Sequence, residues 1–237
     1  MTPPLISVVM TTYNRPIQLA VTLASIIKQS VPDLEIIVID DGDDTRTPKL
    51  CVPLADQGYL RYLRLHRPHG HAHLNSGPVA NIGLRLAQGE WILLQNAECV
   101  HIDPNLIRGL LNRATSSRNA IFARVVALTE GGVESTLYCG TENPRPYFFC
   151  GLLARQVFLN LGGFDEDYTS YGYEDDDFAD RLYRFGITFE FTNLLVHHQW
   201  HPPAGLGAED MAAMRERFER KQTEGIVRNV GRAWGQL

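Results

Sequence analysis

Within the first forty residues an apolar run, a helical run and a second apolar run follow one another, and this succession restricts the fold more than any other feature of the chain. "LISVVMTTYN" is short, apolar and β-branched, as a strand buried on both faces must be. "RPIQLAVTLASIIKQS" then places Leu19, Leu23, Ile26 and Ile27 on one helical face, with Pro16 in the first turn, where proline is tolerated. "LEIIVIDDG" is a second buried strand, closed by acids and a turn. A strand, a helix and a strand in that order predict a βαβ unit, and with it a parallel sheet flanked by helices.

The pattern continues with "GYLRYLRLH" as a third strand, the loop "RPHGHAHLNSG", a helix "PVANIGLRLAQG" closed by Gly89, and "EWILLQN" as a fourth strand. Ligands of open parallel sheets bind beyond the carboxyl ends of the strands, so Thr11 to Arg15, Asp40 to Asp43 and Gln95 to Glu98 are expected to meet at one crevice. Further on, "DPNLIRGLLNRAT" reads as a helix capped by Asp103, and "AIFARVVALTEGG" with "VESTLYCG" as a strand and its hairpin partner. Residues 208 to 222 form a charged amphipathic helix.

At 237 residues, 44% hydrophobic and 21% charged, the chain fits one globular domain. A net charge of −5 offers no broad basic surface, so nucleic acid is not an expected partner. Cys51, Cys99, Cys139 and Cys150 are widely spaced and signal neither a zinc module nor a disulfide framework, which points to reduced thiols and a cytoplasmic location. No run approaches the roughly 20 apolar residues of a membrane span.

Four stretches carry candidate chemistry. "YGYEDDDFADRLYRFG" sets Glu174, Asp175, Asp176 and Asp177 side by side at a helix start. Capping uses one or two carboxylates; the others, behind two aromatic residues and a glycine, are expected to face a pocket. "IDDG" offers Asp40 and Asp41 to a ribose or a base edge, although Asp and Gly also form turns for local reasons. "QNAEC" puts Asn96 and Glu98 two apart, on one side if the backbone is extended, where they could hold a hard divalent cation. "VHHQWHPP" adds His197, His198 and His201, and imidazole favours Mn2+ over Mg2+. The second histidine cluster, His66, His69, His71 and His73, reads as a loop.

These stretches resemble a known family. "ISVVMTTYNRPIQLAVTLASIIKQS" with "LEIIVIDDGDD" is similar to the nucleotide-binding half of family 2 glycosyltransferases, and "GGFDEDYTSYGYEDDDFADRLYRFG" resembles the acceptor-side block of galactosyltransferase and N-acetylgalactosaminyltransferase relatives, including the chondroitin-polymerase type. The resemblance implies an α/β chain with the GT-A (nucleotide-diphospho-sugar transferase) fold and a mostly parallel central sheet. It places a nucleotide-sugar half at about residues 1–100, an acceptor half at 101–207 and a helical tail at 208–237. It further implies inverting transfer from a UDP-sugar to a glycan or lipid-linked acceptor, assisted by Mn2+ or Mg2+. By the same resemblance Asp175 is the general base with Glu174 beside it, and Tyr171, Gly172 and Tyr173 bind the acceptor. Thr11, Tyr13, Arg15, Asp40, Asp41, Asn81 and Asn96 then lie on the nucleotide side, while Glu98 and His198 hold the metal. The family's D-x-D motif stands here as Asn96-Ala97-Glu98, which implies weaker metal binding, and Tyr173 replaces a glycine common in that block. A glycosyltransferase-like protein that binds nucleotide or glycan without turnover is the competing expectation. A nucleotidyltransferase is a weaker one, because "TTYNRP" lacks a glycine-rich phosphate loop.

Overall fold

The computed structural model describes residues 5–29, 31–66, 75–170, 172–202 and 208–236. β1 (Ile6–Thr12), α1 (Pro16–Ile27) and β2 (Leu34–Asp40) form the βαβ unit. Pro16 opens α1, where its missing N–H has no intrahelical acceptor to lose. Leu19, Leu23 and Ile26 are no more than 1% exposed, and burying each stabilises the fold by roughly 1.5–3 kcal/mol. Ile27 packs only partly against that core.

β3 (Arg61–Arg64) and β4 (Trp91–Asn96) extend the parallel group on either side, in the order β3-β2-β1-β4. α3 (Ser76–Leu86) begins at Asn75, whose side chain accepts the Gly77 N–H at 2.8 Å. That helix ends before Gly89. Gly89 instead serves close approach to β1: its N–H donates to Ser7 Oγ at 2.8 Å, and a Cβ there would come within 2.5 Å of the Ser7 nitrogen.

Beyond β4 the sheet is mixed. β8 (Cys150–Ala154) runs antiparallel to β4 and to β6 (Asn119–Leu128), β9 (Thr188–His198) runs parallel to β6, and β5 (Cys99–His101) closes the edge antiparallel to β9. β7 (Glu134–Cys139) is the hairpin partner of β6, with two register shifts. The parallel part is therefore confined to the first half of the chain and the β6–β9 pair.

α2 (Arg46–Asp56), α4 (Leu106–Leu111), α5 (Arg155–Leu161), α6 (Glu174–Arg184) and α7 (Ala208–Lys221) complete the fold. Asp103 does not cap α4, which starts after Asn105 without a side-chain cap. Its carboxylate instead accepts the Leu195 N–H at 2.5 Å, beyond the last β5–β9 pair, His101 with Val196, where β5 offers that donor no further acceptor. All four cysteines are buried free thiols. Among the described residues no helix is long and apolar enough to cross a membrane.

Candidate active site

Parallel register sets the site's first wall. Thr11 pairs with Asn96 and Thr12 with Asp40, so the polar ends of β1, β2 and β4 lie level. Asn14 joins the loops that follow. It adopts φ 53°, a left-handed conformation that asparagine tolerates, and its Oδ1 accepts the N–H groups of Asp43 and Asp44 at 2.9 and 2.8 Å. Asp40 is fully buried: its carboxylate accepts the Gly42 N–H at 2.9 Å and the Tyr62 hydroxyl at 2.6 Å, and burial raises its pKa. It braces the loop and β3. Asn81 is likewise enclosed, donating to Phe164 O at 2.9 Å and accepting the Phe164 N–H at 2.8 Å, so it ties α3 to the "GGFDED" loop. Neither lines the cavity described next.

A cavity of about 360 Å³ is lined by Thr11, Gln95 and Asn96 together with Glu174, Asp175 and Asp176. Gly172 and Tyr173 also line it, while Tyr171 lies outside the described residues, as do His69, His71 and His73. The segment Tyr147–Phe149 connects the two groups. The Phe149 carbonyl accepts the Asn96 N–H at 3.1 Å, and the Phe148 backbone amide favours the charged form of Asp175. Tyr147 donates its hydroxyl proton to Asp176 at 3.3 Å and accepts from Arg145 at 2.5 Å.

The four adjacent acids divide by direction. Asp177 turns into the protein, accepting from Arg181 Nε at 2.7 Å and Arg228 Nη2 at 3.1 Å. Glu174 is buried and accepts the Gly172 N–H at 3.0 Å; burial raises its pKa against those hydrogen bonds. Asp175 borders the cavity, and burial, then the neighbouring charges of Glu174 and Asp176, hold its pKa well above the usual carboxylate range. Tyr173 precedes the helix at φ 65°, a strain that costs a non-glycine residue roughly 1–3 kcal/mol. Its ring stacks on Phe218 of α7 with centroids 5.6 Å apart, which offsets part of that cost.

Glu98 meets the histidines through β5, a three-residue strand that the sequence pattern did not signal. Cys99 pairs with His198 in the β5–β9 ladder, and ligand atoms of Glu98, His198 and His201 lie within 4.8 Å of one another. His197 points elsewhere, with Nε2 2.8 Å from Glu134 on β7, as side-chain alternation along a strand requires. Burial pushes the His198 pKa down to about 4, so its imidazole is neutral and has a lone pair to offer. One carboxylate and two imidazoles suit a divalent transition ion such as Mn2+. The chain turns at Ala97–Glu98 instead of staying extended. Asn96 therefore reaches the cavity, while Glu98, 3% exposed, pairs with Arg15.

Level strand ends, a cavity beyond them bordered by carboxylates, and a mixed second half match the expected nucleotide-diphospho-sugar transferase fold. Structural comparison agrees: a mannosyltransferase from Pyrobaculum calidifontis in complex with GDP-Man and Mn2+ superposes with a TM-score of 0.61 at 20% identity, over 83% of this chain and 57% of that one. Residues 1–349 of Staphylococcus aureus TarS in complex with UDP give 0.63 at 19%, over 83% and 61%. The family model for glycosyl transferase family 2 matches residues 7–171, and the chain belongs to that family. Hyaluronan synthase of Pasteurella multocida is 25% identical over 256 residues, covering 88% of this chain and 26% of its own length. Chondroitin synthase of Escherichia coli is 25% identical over 253 residues, covering 88% and 36%, so this chain spans about a third or less of these curated relatives.

Proposed function

We propose that the chain moves a hexose or N-acetylhexosamine from a UDP-sugar to a hydroxyl of a glycan or lipid-linked acceptor, with inversion at the anomeric carbon. The observation that carries this reading is the shared cavity, where Asn96 at a nucleotide-side strand end and Asp175 in the acidic helix border the same space. Asp175 would take the acceptor hydroxyl's proton as that oxygen bonds to the anomeric carbon. The bond to the diphosphate breaks and the electron pair leaves with UDP. The raised pKa of Asp175 gives its carboxylate a greater affinity for the proton than an ordinary aspartate has. Glu174, held by Gly172 and Ser76, would orient the acceptor.

Glu98, His198 and His201 would hold a divalent cation. When bound, it would carry part of the negative charge gathering on the departing diphosphate. Thr11, Tyr13, Asp41 and Asn96 would contact the nucleotide, with Asn96 offering a neutral oxygen where a D-x-D motif would have a carboxylate. The UDP and the GDP-Man with Mn2+ held by structural neighbours support a nucleotide-sugar donor and a divalent ion.

The test is a screen of UDP-glucose, UDP-galactose and their N-acetyl forms for UDP release with Mn2+. Asp175→Asn is expected to lower transfer by roughly 10²–10⁴-fold while calorimetry shows UDP affinity retained; full turnover by Asp175→Asn would sink the base assignment. UDP binding without turnover across the donor panel would favour a catalytically impaired nucleotide- or glycan-binding protein, the reading that Asn96 motivates.

A further inference from the structure

Glu98 is 3% exposed, and the partner its carboxylate has is Arg15, whose Nη1 bonds to Oε1. Arg15 is 24% exposed and stands immediately before α1, at the end of the loop that follows β1. The same carboxylate lies within 4.8 Å of ligand atoms on His198 and His201. A guanidinium and a divalent cation cannot both be accommodated there. Two cationic groups against one buried carboxylate would leave positive charge without a partner in a poorly solvated place.

Arg15 has a way out, because its partial exposure lets it swing while Glu98 stays fixed. A nucleotide diphosphate in the crevice would offer oxygens that a guanidinium fork matches as well as it matches a carboxylate. Resting on the UDP-sugar reading above, we infer that Arg15 is an internal counter-cation of Glu98, exchanged for a metal ion when a diphosphate gives the guanidinium another anionic partner. Each state then leaves no buried charge unpaired: Arg15 with Glu98 before, Arg15 with phosphate and the cation with Glu98 after. Metal and nucleotide bind with positive coupling, and each raises the other's affinity by the same factor. Arg15 thus withholds the cation site from free metal until the donor is present.

The test titrates Mn2+ alone into the intact chain by calorimetry, with and without saturating UDP, for wild type, Arg15→Gln and Arg15→Lys. Arg15→Gln is expected to bind Mn2+ without UDP roughly fivefold or more tightly than wild type, and to gain less from added UDP. Arg15→Lys, which keeps the positive charge, is expected to track wild type. Arg15→Met, which keeps part of the apolar stem, replaces Arg15→Gln if the latter fails to fold. Mn2+ binding without UDP that is unchanged or weaker in the uncharged variant would overturn the exchange. If wild type and the variants all bind UDP but none binds Mn2+ even with UDP present, the metal assignment itself fails and the exchange falls with it.

Discussion

Asp175 illustrates how one side chain takes its chemistry from its neighbours. Burial is the largest cause of its raised pKa, followed by the charges of Glu174 and Asp176, with the Phe148 amide acting in the opposite direction. A base works only when deprotonated, so activity should fall as pH drops through that raised value, and the acidic limb of kcat/KM against pH should lie above the ordinary carboxylate range. Asp176→Asn removes one of the raising charges. The Asp175 pKa should then move down and the acidic limb should shift to lower pH, with a lower plateau because the base is weaker. A pH–rate profile of the variant that superposes on that of wild type would mean that another group governs the limb. Tyr147 is left intact by this change, although it loses a carboxylate to which it donates.

At the scale of the element, α6 is a helix whose opening turn faces two ways. Its cavity-side acids are held in place by the inward one, Asp177, which binds Arg181 and Arg228. Arg181 is fully buried and also donates to the carbonyls of Leu161 and Gly163 at 3.1 and 2.9 Å, while Arg228 Nε lies 3.1 Å from Asp165. Removing one member of such a network leaves buried acceptors short of donors. Arg228→Ala, with Asp177 left to Arg181 and Asp165 to Lys221, should lower unfolding stability in urea by about 1–3 kcal/mol; a loss under about 0.5 kcal/mol, the size of an exposed pair, would show that the remaining cations already serve these acids.

Much of this architecture can be read from the chain. The apolar runs of β1, β2 and β4 and the spacing of α1 carry their own periodicity, and α6 is announced by its acids and by Phe178, Leu182 and Phe185. α2 is not legible, because its Pro53 argues against a helix interior; the structure accepts it in a short helix that buries Thr47 and Cys51. β5 is too short to show a period, yet its pairing with β9 is what carries His198 to Glu98. The outward reach of Asn96 and the inward turn of Asp40 depend on tertiary contacts and leave no trace in local pattern. Asn14 could have been found from its place in a turn, since asparagine is favoured where the chain takes a left-handed step.

Across the whole molecule, the family match ends at residue 171, whereas α6, β9 and the tail follow it. The tail is nonetheless integral. The Arg228 N–H donates to the Leu161 carbonyl at 3.0 Å, Asn229 donates to the carbonyls of Gly162 and Phe164 at 2.8 and 2.7 Å, and Arg85 lies over the Trp234 ring at 5.1 Å. The bonds to Leu161, Gly162 and Phe164 hold the end of α5 and the start of the loop that leads to α6, so the tail fixes where α6 points its carboxylates. Val9, Ile37 and Leu94 of the parallel strands lie in the core that both halves share, and the parallel half meets the tail through Arg85 and Trp234. Deleting residues 225–237 should therefore separate the two halves in function: UDP binding persists, transfer is lost, and stability falls by about 3–5 kcal/mol as Asp165 and Asp177 lose Arg228 and the carbonyls of Gly162 and Phe164 lose Asn229. Circular dichroism in urea and calorimetry with UDP measure the two effects independently. Undiminished transfer by the shortened chain would show that α6 keeps its aim without the tail.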